Sequence, residues 1–248
     1  MNDHLTPADQ AAREFLLGRI DYERVTPPVG DGTFPLERMQ TLLRLVGQPQ
    51  DGQRIVHITG TKGKGSTAAM VAAMLTAAGY RTGLFTSPHL ERLEERLAID
   101  GQPCQPAQLT RLLDALREPV ARMDGAGRGE ASGPTFFEIT TAAAFLHFAQ
   151  EKCDATVLEV GLGGRLDSTN ICQPFVSVIT SISLDHVRQL GSTKAAIARE
   201  KAGIIKPGVP LVSGVTEDEP REVIEAIARE RHAPRWTVGT DFGFTVRR

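Results

Sequence analysis

The stretch Gly60-Thr61-Lys62-Gly63-Lys64-Gly65-Ser66-Thr67 constrains this chain more than any other, because its interleaved glycines and lysines separate two runs of different periodicity. The run before it, residues 54–59, is short and β-branched and reads as a strand. The run after it, residues 68–78, is alanine, methionine and leucine at helical spacing. A glycine-rich turn at such a junction lets backbone N–H groups converge, and the helix N-terminus adds partial positive charge at the same point. Polyanions bind there. Lys64 is placed to reach terminal phosphates, and Ser66 or Thr67 to offer a hydroxyl to phosphate or magnesium. The spacing departs from the general phosphate loop, since only two residues separate Gly60 from Gly63-Lys64 and Gly65 intervenes before Ser66. A dinucleotide fingerprint would carry its glycines without lysine, so two lysines favour a nucleoside triphosphate over that rival and over a plain flexible turn.

Composition narrows the class. With 248 residues, 41% hydrophobic and 23% charged, the chain can bury a substantial single core. A formal net charge of −2 gives no electrostatic reason to expect nucleic acid or an anionic membrane as partner. No apolar run approaches the roughly 18 residues of a membrane span, and the polar start Met1-Asn2-Asp3-His4 is unlike a signal peptide, so a cytoplasmic monomer is expected. Cys104, Cys153 and Cys172 are odd in number and far apart, which supports neither a disulfide framework nor a zinc site.

Helices are expected over residues 8–18 and 36–46, followed by the strand–cradle–helix unit, a second strand at 81–86 and a loop Thr86-Ser87-Pro88-His89-Leu90. A short apolar piece ends at Asp100-Gly101, and Pro106 opens a helix with Leu109, Leu112, Leu113, Leu116 and Val120 on one face. After a glycine-rich linker at 124–133 comes an apolar helix, 135–152. Strands are then expected at 155–160, 175–182, 209–212 and 236–238, with a helix capped by Ser192 and running to Ala202, another at 220–231, and an opening strand at 242–246. Strands alternating with helices predict an α/β fold with a doubly wound, mostly parallel sheet.

Three charged residues stand out. Glu159 ends an otherwise apolar strand just before Gly161-Leu162-Gly163-Gly164-Arg165, where a carboxylate needs a partner: magnesium beside a phosphate cradle, or a salt bridge with Arg165. His186 also follows a core strand, so a shared metal with Glu159 is plausible beside a purely structural role. Lys201 ends an amphipathic helix, where periodicity alone assigns it to the helix dipole.

Taken in order, these motifs resemble the ATP-dependent Mur ligase superfamily, in particular its folylpolyglutamate synthase and dihydrofolate synthase branch. Gly60 to Ser66 is similar to that branch's own variant of the phosphate loop, with Lys62 where asparagine is usual. Thr86-Ser87-Pro88-His89-Leu90 resembles its mobile loop, Leu158 through Asn170 its central signature, Asp185-His186 its metal histidine, and Glu200-Lys201-Ala202-Gly203-Ile204-Ile205-Lys206 its carbamylated-lysine segment. The resemblance implies that Ser87, Glu159 and His186 bind Mg2+, that Gly60, Thr61, Lys62, Gly63, Lys64, Gly65, Ser66 and Thr67 hold ATP, and that Lys64, His186 and carbamylated Lys201 are catalytic. It further implies that Thr135, Phe136, Phe137 and Glu138, with Leu166, Asp167 and Ser168, contact a pterin, as residues 31–34 would. Composition by itself would place Phe136 and Phe137 in the core.

The implied reaction transfers the ATP γ-phosphoryl group to a carboxylate of folate or dihydropteroate, and L-glutamate then displaces phosphate to form an amide. A Mur-type ligase acting on a cell-wall nucleotide precursor, and a non-catalytic nucleotide-binding module, are the other readings. Members of this branch continue well past this length, so residues 1–248 are expected to be an incomplete, truncated ATPase portion without the C-terminal glutamate-ligase domain.

Overall fold

The computed structural model describes residues 5–23, 36–126 and 133–245. The expected pterin contact at 31–34 and most of the linker at 124–133 lie outside these residues.

Thr6 opens α1 (Pro7–Leu17) with a capping box, its hydroxyl accepting from the Asp9 amide while the Asp9 carboxylate accepts from the Thr6 amide. Then come α2 (Leu36–Leu45), β1 (Ile55–Thr59), α3 (Lys64–Ala77) and β2 (Thr82–Phe85). A hairpin of β3 (Leu97–Ile99) and β4 (Gln102–Pro103) turns through Asp100 and Gly101, both at positive φ. The chain continues through α4 (Pro106–Ala126), α5 (Phe136–Gln150), β5 (Ala155–Glu159), β6 (Val176–Ile179), α6 (Val187–Leu190) and α7 (Lys194–Lys201). It closes with β7 (Leu211–Ser213), α8 (Asp218–Glu230) and β8 (Arg235–Thr237).

These strands form one sheet in the order β4-β3-β2-β5-β1-β6-β7-β8, parallel except for the β3–β4 edge. From β1 the chain crosses past β5 to β2, whereas from β5 it crosses past β1 to β6. The direction of winding therefore reverses around β1, and the strand tips there form the crevice in which open α/β sheets bind ligands.

Alternation along the strands sorts the core. Ile58 and Val157 face Ala68 and Ala72 of α3, while Ile55, Phe85 and Leu158 join Ile139, Phe145 and Phe148 of α5 on the other side. A third cluster packs Ile197 and Ala198 of α7 and Ile224 and Ala228 of α8 against Ile179 and Leu211. Among the described residues no helix is long and apolar enough to cross a membrane.

Beyond the short elements β4 and α6, which the sequence reading did not foresee, four differences bear on the fold. Helix α3 begins at Lys64 rather than Ala68, because the cradle's own residues already adopt helical geometry. Thr193, not Ser192, caps α7, its hydroxyl accepting from the Ala196 amide at 3.1 Å. The apolar piece before Asp100-Gly101 pairs with β2 as an antiparallel strand. Phe242 makes only an isolated parallel bridge to Val238 where a new strand was expected, and Val246 lies outside the described residues.

Candidate phosphate and acceptor site

Gly60 leaves β1 with φ of +151°, and a Cβ there would lie 1.9 Å from Thr180 Oγ1 and 3.0 Å from the Ser181 amide nitrogen. Only glycine lets the loop pass so close to the tip of β6. The Thr61 amide donates to the Ser181 carbonyl at 2.8 Å, and the Thr180 hydroxyl donates to the Lys62 carbonyl at 2.7 Å, which pin the turn. Gly63, at φ +81°, is the N-cap of α3, and no side chain caps that end. The amides of Lys64, Gly65 and Ser66 in the first turn have no intrahelical acceptor, and the first helical bond is Thr67 N–H to the Gly63 carbonyl at 2.9 Å. Together with the ammonium groups of Lys62 and Lys64, this donor set suits a polyphosphate.

Glu159 ends β5 with 5% of its surface exposed and accepts from the Ser87 amide through Oε2 at 3.2 Å. The first turn of α3 rests on this carboxylate, for a Cβ on Gly65 would lie 3.3 Å from Oε2. Burial raises the Glu159 pKa, while the Ser87 amide and the Lys64 charge oppose the rise. Arg165 is not its partner. That guanidinium pairs with Glu200, at 3.0 Å from Nη2 to Oε1.

His186 adopts the left-handed backbone region at φ +47° as the N-cap of α6, half exposed beside Asp185 at 3.8 Å. It lines one cavity with Lys64 and Ser87. Among the described residues no three His, Cys, Asp or Glu side chains already form a metal cage. Magnesium takes few protein ligands and completes its shell with water and phosphate oxygens, so the Ser87 hydroxyl and the Glu159 carboxylate suit it, with the His186 imidazole as a softer donor.

Lys201 does not serve the helix end from solvent. It is 3% exposed, and its Nζ donates to the Gly60 carbonyl at 3.0 Å, tying α7 to the first residue of the cradle. Burial, with the nearby Lys64 charge second, lowers its pKa to about 8.

The cavity lined by Lys64, Ser87 and His186 has a volume of about 630 Å³ and is also lined by Thr135, Phe137, Glu138, Leu166, Asp167 and Ser168. Thr135 caps α5 in a second capping box, accepting from the Glu138 amide while Glu138 Oε2 accepts from the Thr135 amide and hydroxyl. Phe137 packs against Phe85 with the rings tilted by 52° and their centroids 5.9 Å apart, and a Cβ on Gly161 would lie 2.6 Å from its Cζ. Phe136 points the other way, 1% exposed beneath the Arg96 guanidinium at 5.1 Å, and does not line the cavity. Asp167 is buried beside Leu162, whose amide donates to Oδ2 at 2.9 Å, and desolvation raises its pKa.

Several cavity residues carry no sequence signal. Arg38 of α2 donates through Nε to both Glu138 oxygens, at 2.9 and 2.8 Å, yet in sequence it is one of several charges on an amphipathic helix. Glu23 lines the cavity and pairs with Arg96, whose Nε also donates to His89 Nδ1 at 2.8 Å. Buried Arg96 thus joins the loop after β2 to the segment after α1.

Residues 58–244 match the Mur ligase middle domain. The chain is 44% identical over 227 residues to a dihydrofolate synthase/folylpolyglutamate synthase of Bacillus subtilis (strain 168), covering 91% of this chain and 50% of that protein. The crystal structure of folylpolyglutamate synthase from Thermotoga maritima superposes with a TM-score of 0.85 at 35% identity, covering 97% of this chain and 52% of the other. An FPGS–AMPPCP–folate complex superposes equally well, with a TM-score of 0.85, 35% identity and coverage of 95% and 55%. The chain spans about half the length of the relatives it matches. That match spans the cradle, Ser87, Glu159, His186 and Lys201, and the chain belongs to the Mur ligase family.

Proposed function

We propose that this chain contributes the nucleotide- and acceptor-binding part of an ATP-dependent ligase that joins L-glutamate to folate or dihydropteroate. One observation carries the reading: Lys64 of the phosphate cradle and the Thr135, Phe137 and Asp167 group line the same cavity. A nucleotide gripped by Lys64 therefore shares this space with an acceptor held by that group. The similarity to an FPGS bound to AMPPCP and folate supports both halves of this assignment.

In this reading the α3 amides and Lys64 bind the triphosphate and neutralise charge that develops on the transferred phosphoryl group. Ser87, Glu159 and His186 hold Mg2+, which when bound supplies further charge neutralisation. Phe137 gives the heterocycle an apolar wall, and Asp167 and the Thr135–Glu138 pair give it polar partners. A carboxylate of the acceptor attacks the γ-phosphorus, ADP leaves, and the acyl phosphate is then opened by the glutamate amine with loss of phosphate and a proton. Lys201, depressed to about pKa 8, is partly neutral and able to add carbon dioxide with loss of a proton. The resulting carbamate sets a negative charge beside the cradle.

The test is calorimetry with AMPPCP and Mg2+, then with folate, followed by mass spectrometry of folate incubated with ATP and L-glutamate in a form extended to the length of the relatives. Expected are AMPPCP binding, folate binding and a glutamylated product. Binding of a cell-wall nucleotide precursor in place of folate, or no AMPPCP binding, would overturn the assignment.

A further inference from the structure

Strand β1 carries a histidine that does not line the cavity. His57 is fully buried, on the same face of the strand as Thr59, and both of its ring nitrogens have partners. Nε2 lies 2.8 Å from Thr169 Oγ1, and Nδ1 lies 3.7 Å from Cys172 Sγ. The Thr169 hydroxyl in turn donates to Asp167 Oδ1. Of these four residues only Asp167 lines the cavity.

The polarity of this chain is set at Asp167. An ionised carboxylate only accepts, and this one already takes the Thr169 amide on Oδ1 at 3.0 Å and the Leu162 amide on Oδ2 at 2.9 Å. Thr169 has a single hydroxyl proton, and giving it to Asp167 leaves only lone pairs for His57. Nε2 therefore carries the imidazole proton, and Nδ1 is a bare acceptor facing the Cys172 S–H. Burial supplies the states this needs: it lowers His57 to about 3, so the ring is neutral, and raises Cys172 to about 12, so the sulfur keeps its proton. Burial raises the pKa of Asp167, and the Thr169 hydroxyl and the amides of Leu162, Thr169 and Gly161 work against the rise. Were Thr169 free to accept instead, a protonated Asp167 would become a donor.

We propose that His57 is a positioning residue which, by donating its Nε2–H to Thr169 Oγ1, turns that hydroxyl's proton toward Asp167 and fixes Asp167 as an acceptor for an N–H group of the bound heterocycle. The role rests on the reading that folate occupies the Asp167 end of the cavity. Cys172 locks the tautomer from the far side of the ring.

The first measurement is NMR of the protein carrying 15N-histidine, with His57 assigned from the signal lost in His57→Gln. Expected is the neutral Nε2–H tautomer, unchanged from mildly acidic to mildly alkaline pH, with its Nδ1 resonance moved in Cys172→Ala. An Nδ1–H tautomer, or ordinary titration, overturns the relay. The second is calorimetry with AMPPCP and then folate. His57→Leu is expected to weaken folate about tenfold, the loss of one hydrogen bond's worth of binding, and to leave AMPPCP unchanged. His57→Gln, which keeps an N–H donor, recovers most of the loss. Equal losses for both ligands, or unaltered folate binding in folded His57→Leu, overturn the positioning role; should that variant not fold, His57→Gln and the wild-type tautomer decide. Asp167→Asn separates the two readings. Folate binding indifferent to it overturns the placement of folate, and with it the positioning role, even if the tautomer is as expected. The wrong tautomer with folate binding sensitive to it overturns the relay alone.

Discussion

The Nζ of Lys201 donates to the carbonyl of Gly60 at 3.0 Å, so the last residue of α7 is fastened to the first residue of the phosphate cradle. The bond places an ammonium group in a buried site close to Lys64, and both burial and the neighbouring charge press it to lose its proton. Between about pH 8 and the ordinary lysine value of 10.5, the unfolded chain binds more protons at this residue than the folded one. Its contribution to stability therefore rises with pH across that window. Urea unfolding at several pH values is expected to show this slope in the native protein and a flatter one in Lys201→Met. The same depression leaves about a tenth of the amine neutral at pH 7, against about one part in three thousand for an ordinary lysine. A 13C carbamate signal from labelled bicarbonate is expected in the native protein and absent in Lys201→Met.

Lys64 acts on two buried neighbours at once. Its charge lowers the pKa of Lys201 and opposes the rise at Glu159. Lys64→Met is expected to weaken AMPPCP about 10- to 100-fold, as loss of a charged hydrogen bond to phosphate does, with little change in unfolding midpoint. In the same variant the Lys201 pKa rises, so the carbamate signal at neutral pH shrinks. An unchanged AMPPCP affinity would remove Lys64 from the nucleotide site.

Two glycines of the cradle answer to different constraints. At Gly60 a Cβ meets Thr180 and the Ser181 backbone, and its φ of +151° disfavours side chains, so Gly60→Ala is expected to cost about 1–3 kcal/mol of stability, read by urea unfolding. Gly65 lies inside α3, where alanine is the better helix former, and its Cβ would press on Glu159 Oε2 from 3.3 Å. Gly65→Ala should therefore keep or slightly raise stability while lowering the Mg2+ dependence of AMPPCP binding.

Phe137 is positioned by a missing side chain. The ring occupies the space a Cβ on Gly161 would need, at 2.6 Å from Cζ. Gly161→Ala must displace the ring from the cavity wall. Folate affinity is expected to fall about tenfold or more with AMPPCP affinity unchanged, and calorimetry with the two ligands in turn reads the difference.

The cradle was legible in the sequence because everything it needs is local. A β-branched strand, glycines that free the backbone and an alanine-rich helix lie within residues 54–78, and the structure joins them in that order. Glu159 stood out for the same reason, a carboxylate at the end of an apolar strand. Its alternative partner, Arg165, could be set aside only by the fold, which gives that arginine to Glu200. Tertiary structure likewise decided which of two adjacent phenylalanines faces the cavity, since helical rotation turns Phe137 toward Gly161 and Phe136 under Arg96. The contacts from Arg38 to Glu138, from Lys201 to Gly60 and from His57 to Thr169 each join residues 100 or more positions apart. Periodicity reports which face of an element is apolar, and it carries no information on which distant element that face will meet. That choice was made by the crossovers that set β1 between β5 and β6, bringing the strand tips and the helices behind them around a single crevice.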